Sequence, residues 1–142
     1  MAFDTFLKID GIQGDSQVKG HVGEIEILEL SWGETAVPGP SKGAGVGALQ
    51  VQTQDFHFLM ATSKASPALM TNCTRSTTFQ SATLSCRRPG DRQEDFIVIK
   101  MSRVMITEYS LAGSNGDDNP MDDVSLTFDK IDFQWIDQPP TA

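Results

Sequence analysis

Four stretches of the chain alternate apolar and polar residues as strands do, and each switches the parity of its apolar positions partway along. Ile25 and Ile27 hold one parity, whereas Leu28, Leu30 and Trp32 hold the other. Leu49 and Val51 give way to Phe56, Phe58 and Met60, and Ile97, Ile99 and Met101 give way to Val104 and Ile106. Val124, Leu126 and Phe128 give way to Ile131, Phe133 and Trp135. Successive strand side chains point to opposite faces, so each switch demands a bulge, a bend or burial on both faces. A sandwich with one wet face does not need this repeatedly. Long bent strands of a small barrel do, and so do strands that meet a neighbouring subunit. The pattern therefore points to assembly.

With 142 residues, the chain is long enough for one domain, 1–142, with a real core. No apolar run reaches membrane-spanning length, so no membrane insertion is expected. The start, Met1-Ala2-Phe3-Asp4, puts an acid where a signal peptide carries bases, and Lys8 and Asp10 interrupt any apolar stretch. A Sec signal is not expected, and export would need another route. Net charge is -8, with 11 Lys and Arg against 19 acids, which disfavours nucleic acid as a partner. Arg87, Arg88 and Arg92 read as a solvated turn tip. Cys73 and Cys86 have no CxxC spacing and make no disulfide framework. Cys86 shares parity with Ala82 and Leu84 and reads as a buried, reduced thiol.

The first strand runs from Phe3 to Ile9, with Phe3, Leu7 and Ile9 on one face, and turn residues Gly11, Gly14, Asp15 and Ser16 follow. A second strand covers 24–32. An extended Gly-rich loop with Pro38 and Pro40 spans about 33–47; such loops are mobile or docked on a partner. A third strand covers 49–60. Ser66 before Pro67 suits an N-cap followed by proline in the first turn, and Leu69 and Cys73 follow at helical spacing. A short helix over about 66–74 is predicted. Strand character returns over 79–87 and breaks at Arg88-Pro89-Gly90-Asp91, a hairpin signal. From Phe96 to Ile106 the run is one bent strand or two. Ala112 to Asp123 reads as an acidic loop and 124–135 as the last strand, before a Pro-containing tail.

No motif assembles a catalytic or cofactor site. Gly14-Asp15-Ser16 resembles the start of a GDSL-type esterase block, but Ser16 needs a histidine base within reach. The chain has only His21 and His57, and no Asp-x-x-His. A turn in which Asp15 and Ser16 bond their own backbone is the simpler reading. The two histidines lie far apart without HExxH, so no metal site is predicted, and His57 reads as a polar-face strand residue. Asp117, Asp118, Asn119, Asp122 and Asp123 lack the EF-hand order and read as a solvated loop. Gly43-Ala44-Gly45-Val46-Gly47 has neither Gly-Lys-Ser/Thr nor a helix after it, so it reads as loop and not as a phosphate cradle. No cofactor is expected, and a structural, assembling role fits better than an enzyme.

The run Phe6-Leu7-Lys8-Ile9-Asp10-Gly11-Ile12-Gln13-Gly14-Asp15-Ser16, with Gly20-His21, Glu24-Ile25 and Leu30-Ser31-Trp32-Gly33, resembles the Hcp family, the haemolysin-coregulated proteins of bacterial type VI secretion. Further matching blocks are Lys64-Ala65-Ser66-Pro67-Ala68-Leu69, Ala82-Thr83-Leu84-Ser85-Cys86-Arg87, and Val124-Ser125-Leu126-Thr127-Phe128 with Lys130-Ile131. The resemblance implies a mainly β fold, a small antiparallel barrel with one flanking helix. It implies hexameric rings that stack into a tube. A contractile sheath surrounds that tube, a VgrG-type spike caps it, and small secreted effectors ride inside. It also implies assembly in the bacterial cytoplasm and export by the machine itself. The matched Ser31-Trp32-Gly33 suggests Trp32 in the core with Ser31, and Glu29 of the same parity, facing the channel. The extended loop, with Val37, Pro38, Pro40, Lys42 and Val46, is the expected contact between rings. A phage-like tail-tube protein is the neighbouring alternative, and a small hydrolase using Ser16 is a more distant one.

Overall fold

In the computed structural model, which describes residues 3–38, 49–88, 94–113, 116 and 119–136, the alternating stretches form antiparallel strands beside one helix. The order is β1 (Asp4–Ile9), β2 (Ile25–Ile27), β3 (Glu29–Ser31), β4 (Glu34–Pro38), β5 (Leu49–Thr53) and β6 (Phe56–Ala61). Then come α1 (Ser66–Thr74), β7 (Thr78–Arg87), β8 (Asp95–Ala112), β9 (Met121–Thr127) and β10 (Lys130–Trp135). An eight-stranded sheet runs β2-β1-β7-β8-β9-β6-β3, with β10 added to β8. β2 and β3 sit at opposite ends of that order, yet only Leu28 separates them in the chain. The sheet must therefore curl until its two edges nearly meet, and the Leu28 amide donates to the Leu59 carbonyl at 2.8 Å. The ladder itself stays open, because β2 pairs β1 and β3 pairs β6 without pairing each other. The expected barrel is thus a curled open sheet, in which β2 and β3 carry one chain segment from one edge to the other.

Every parity switch falls where the chain changes neighbours. At Leu28 the partner changes from β1 to β6. At Gln54-Asp55 the chain leaves a separate two-stranded sheet, β4-β5, for the main sheet. The strands expected over 24–32, 49–60 and 124–135 are therefore each two strands, whereas the run from Phe96 is one strand that extends to Ala112. Within β8, β10 flanks residues up to Ser102 and β9 flanks those from Met105 onward. Arg103, at φ 54, takes up the slip between buried Met101 and buried Val104. β7 slips in step, burying Phe79 and then Ala82 opposite those two residues. The fourth switch, at Phe128-Asp129, lies on the same line: the Asp129 amide donates to the Ser102 carbonyl at 3.0 Å. The Arg103 guanidinium meets the Asp129 carboxylate at 3.1 Å. Ile25 and Ile27 lie wholly in this subunit's core, so the switch at Leu28 is a bend and not a second buried face.

The core fills the inside of the curl with Leu7, Ile9, Phe56, Phe58, Leu84 and Met101, and Leu69 of α1 closes one side. Trp32 is half-buried against it, its ring centroid 6.3 Å from that of Phe128. Phe3 does not join Leu7 and Ile9: it precedes β1, is exposed, and meets Phe96 edge-on at 6.1 Å. Cys86 is the buried free thiol expected, and burial pushes its pKa up against a weaker opposing effect of the Thr5 hydroxyl. Arg87 departs from the solvated tip: it is buried and donates to the Lys19 carbonyl at 3.3 Å. Arg88 lies over the Phe96 ring at 4.3 Å, and Arg92 lies outside the described residues. Of the hairpin expected at Arg88-Pro89-Gly90-Asp91, residues 89–91 lie outside the described residues; the strands on either side, β7 and β8, pair antiparallel.

The helix stands where the sequence puts it, but its N-cap is Ala65 and not Ser66. Ser66 sits inside the first turn, where its hydroxyl accepts from the Ser63 amide at 3.0 Å and donates to Asp122. Part of the loop expected from residue 33 is strand, since Glu34 to Pro38 pair with Thr53 to Leu49. Residues 39–48 lie outside the description. Gly14 explains the esterase-like tripeptide. A Cβ there would stand 2.4 Å from the Glu24 carbonyl oxygen, because the Gly14 amide donates to Gly23 and the Ser16 amide to Glu24. Gly14→Ala is expected to destabilise the domain by about 1–3 kcal/mol through backbone overpacking, read as a lowered urea midpoint with an unchanged slope.

Candidate functional site

Antiparallel pairing sets residues directly opposite each other on the same face. Across β3, β6, β9 and β8 one row reads Ser31, His57, Ser125, Glu108, and the next reads Glu29, Leu59, Asp123, Ser110. Glu29 and Ser31 are exposed on this outer face. Between the rows, Leu30, Phe58, Val124 and Tyr109 point the other way, toward the core. The sequence expectation that Glu29 and Ser31 share a solvent face, opposite Leu30 and Trp32, agrees with this arrangement.

Glu108 reaches the outer face through a bulge. The register of β8 against β9 shifts between Ile106 and Glu108, and Thr107 is the extra residue. Strict alternation from buried Ile106 would have turned Glu108 inward. The Thr107 hydroxyl lies 3.0 Å from the Asp55 carboxylate and 3.2 Å from the Ser125 carbonyl, either of which can accept its proton. His57 Nε2 touches Asp123 Oδ1, and one ligand atom each from His57, Glu108 and Asp123 lies within 4.8 Å of the others. The face is acidic. Among the described residues, Glu29, Glu108 and Asp123 make no ion pair with a Lys or Arg.

The two histidines do not meet. His21 is buried, stacked on Phe6 with ring centroids 4.3 Å apart, and its ring nitrogens face Glu24 at 3.0 Å and Asp95 at 2.9 Å. Ser16 is 1% exposed, and its Oγ accepts from the Val18 amide at 3.2 Å. Both His21 nitrogens are thus held by carboxylates, and no nucleophile–base pair is built from Ser16 and His21. Of the residues expected at ring contacts, Val37 and Pro38 end β4, while Pro40, Lys42 and Val46 lie outside the described residues. No helix among the described residues is long and apolar enough to cross a membrane.

Two features escaped sequence reasoning. Asp122 belongs to β9 and not to a solvated loop: it is 0% exposed, and its carboxylate accepts from the Thr62 hydroxyl at 2.7 Å and from the Ser66 hydroxyl. Tyr109 joins this cluster, its pKa pushed up mainly by burial. The signal available was parity, since Asp122 has the parity of Val124 and Leu126. Asp117 and Asp118 lie outside the described residues. The second is an aromatic surface at the β10 end. Phe133 and Trp135 are 55% and 57% exposed, with Phe96 edge-on to Trp135 at 5.6 Å.

The comparisons agree with this fold. The family model described as "Type VI secretion system effector, Hcp" matches residues 6–135. Protein hcp1 of Pseudomonas aeruginosa is 32% identical over 139 residues, covering 97% of this chain and 86% of its own. The crystal structure of Hcp1 from Salmonella typhimurium is similar at a TM-score of 0.81 and 25% identity, covering 100% of this chain and 92% of that one. A type VI secretion system effector from Yersinia pestis is similar at a TM-score of 0.79 and 27% identity, covering 95% and 92%. The chain belongs to the Hcp family, the tube and effector proteins of type VI secretion.

Asp122 ties α1 to the sheet. Asp122→Ala leaves two hydroxyls without their acceptor and is expected to cost about 1–3 kcal/mol. Hydrogen exchange should quicken in α1 and β9 before the rest of the sheet.

Proposed function

We propose that the chain assembles into hexameric rings that stack into the inner tube of a type VI secretion system, with Glu29 and Ser31 turned to the channel. The observation that carries this reading is the unlike chemistry of the sheet's two sides. One side is a closed apolar core, and the other carries mostly polar rows that include Glu29, Ser31, His57 and Asp123. The exposed Phe133 and Trp135 supply the apolar surface that a neighbouring subunit covers. The segment from Val37 and Pro38 through Pro40, Lys42 and Val46 reaches the next ring. The tube is loaded in the bacterial cytoplasm and expelled by the contractile sheath behind a VgrG-type spike. Small secreted effectors are held against the channel face, and the chain performs no catalysis. Protein hcp1 of Pseudomonas aeruginosa and the Hcp1 of Salmonella typhimurium support this reading by likeness.

Native mass spectrometry is the test: a mass of six chains is expected at micromolar concentration, and a monomer throughout would overturn the ring. Trp135→Asp should shift that mass toward monomer. Ser31→Gln and Glu29→Gln should leave the ring mass unchanged and lower effector recovery in a pull-down; unchanged recovery would remove both residues from the channel assignment.

A further inference from the structure

We propose that His57, Glu108 and Asp123 form a binding site for a divalent transition-metal ion of the zinc class, on the face that carries Glu29 and Ser31. Three adjacent strands, β6, β8 and β9, each contribute one ligand, so the ladder fixes where the side chains start. Their ligand atoms already lie within 4.8 Å of one another. Ligands bound to one zinc at about 2.0–2.2 Å stand somewhat closer than that, within reach of small side-chain rotations. One imidazole and two carboxylates suit zinc, cobalt or nickel. They suit calcium poorly, since it takes six to eight oxygens, and magnesium, which demands an octahedron of them.

The His57 Nε2 and Asp123 Oδ1 atoms are each other's partners in direct contact, so an ion enters by parting them to the spacing of two ligands on one metal. One observation beyond proximity supports an ion here. Glu108 is delivered to this face by the Thr107 bulge, and it brings a second carboxylate beside Asp123; among the described residues neither of the two is ion-paired to a Lys or Arg. Like charges on neighbouring strands are destabilising, and a divalent ion reverses that sign. The His57 and Asp123 side chains are each 42% exposed, so an ion can enter from the open face. Three protein ligands leave a fourth tetrahedral position for water or for a donor group of a bound molecule. The site is complete within one subunit and does not depend on the ring.

The test uses the full chain with any polyhistidine tag removed and metal stripped with a chelator. Isothermal titration with zinc chloride is expected to give one ion per chain, with no response to magnesium chloride. Cobalt(II) chloride should give the intense visible bands of a tetrahedral ion. Glu108→Gln, on an exposed position, and His57→Gln should each weaken zinc binding at least tenfold while circular dichroism stays unchanged. Lack of saturable zinc binding at one equivalent would overturn the proposal. So would wild-type zinc affinity in a folded Glu108→Gln chain together with a cobalt spectrum unaltered by His57→Gln.

Discussion

The fold depends on one corner, where β8 bends and exchanges neighbours without losing its ladder. A strand of 18 residues drawn straight would reach about 60 Å at roughly 3.3 Å per residue, far beyond a small domain. The chain resolves this at Arg103. A non-glycine residue at φ 54 is unfavourable by about 1–2 kcal/mol. The slip it allows returns Val104 and Ile106 to the core after Ile99 and Met101. β7 makes the same slip opposite, so the pairing of Phe79 with Val104 and Ala82 with Met101 stays in register. The exposed contact between Arg103 and Asp129 marks the corner without holding it, because such surface pairs contribute little. The ladder and the buried side chains on both sides of the bend hold it.

The same corner explains what could be read in advance. Parity switches are visible in sequence because burial is obligatory on the core face, so all four showed, and each marks a real change of direction or partner. What parity does not reveal is whether the chain stays one strand. Leu28 and Gln54-Asp55 interrupt the pairing, whereas Arg103 does not, and the difference lies in which distant strands stand alongside. The helix was legible from Ser66-Pro67, yet Ser66 serves Asp122 instead of capping, because a buried acceptor on β9 competes for its hydroxyl. Arg87 and Asp122 were assigned to solvent by residue type. Asp122 is buried because a pair of hydroxyls from far away in the chain satisfies its carboxylate, and buried Arg87 donates to the distant Lys19 carbonyl.

The candidate face was legible in part for a similar reason. Glu29 and Ser31 share a face by simple alternation. Glu108 could not be placed with them, because the Thr107 bulge breaks the count between Ile106 and Tyr109. His57 was read correctly as a polar-face strand residue, but its neighbours come from β8 and β9, which no local pattern discloses.

The composition of that face is itself informative. The core side of the sheet is constrained by packing, so its residues report on folding. The outer side is nearly free of that constraint, so its residues report on use. A sheet surface selected only for solubility would mix acids with lysines across neighbouring strands, since opposite charges there stabilise and like charges do not. Here Glu29, Glu108 and Asp123 gather within two adjacent rows, and the described lysines and arginines make their ion pairs elsewhere. Like charges gathered in this way lower the stability of the isolated subunit slightly, and among them Asp123 is met by His57. The benefit of the arrangement must come from something that meets the face from outside. A cation drawn from solution and a cargo surface complementary in charge both meet that requirement, and the bulge that aims Glu108 outward serves either.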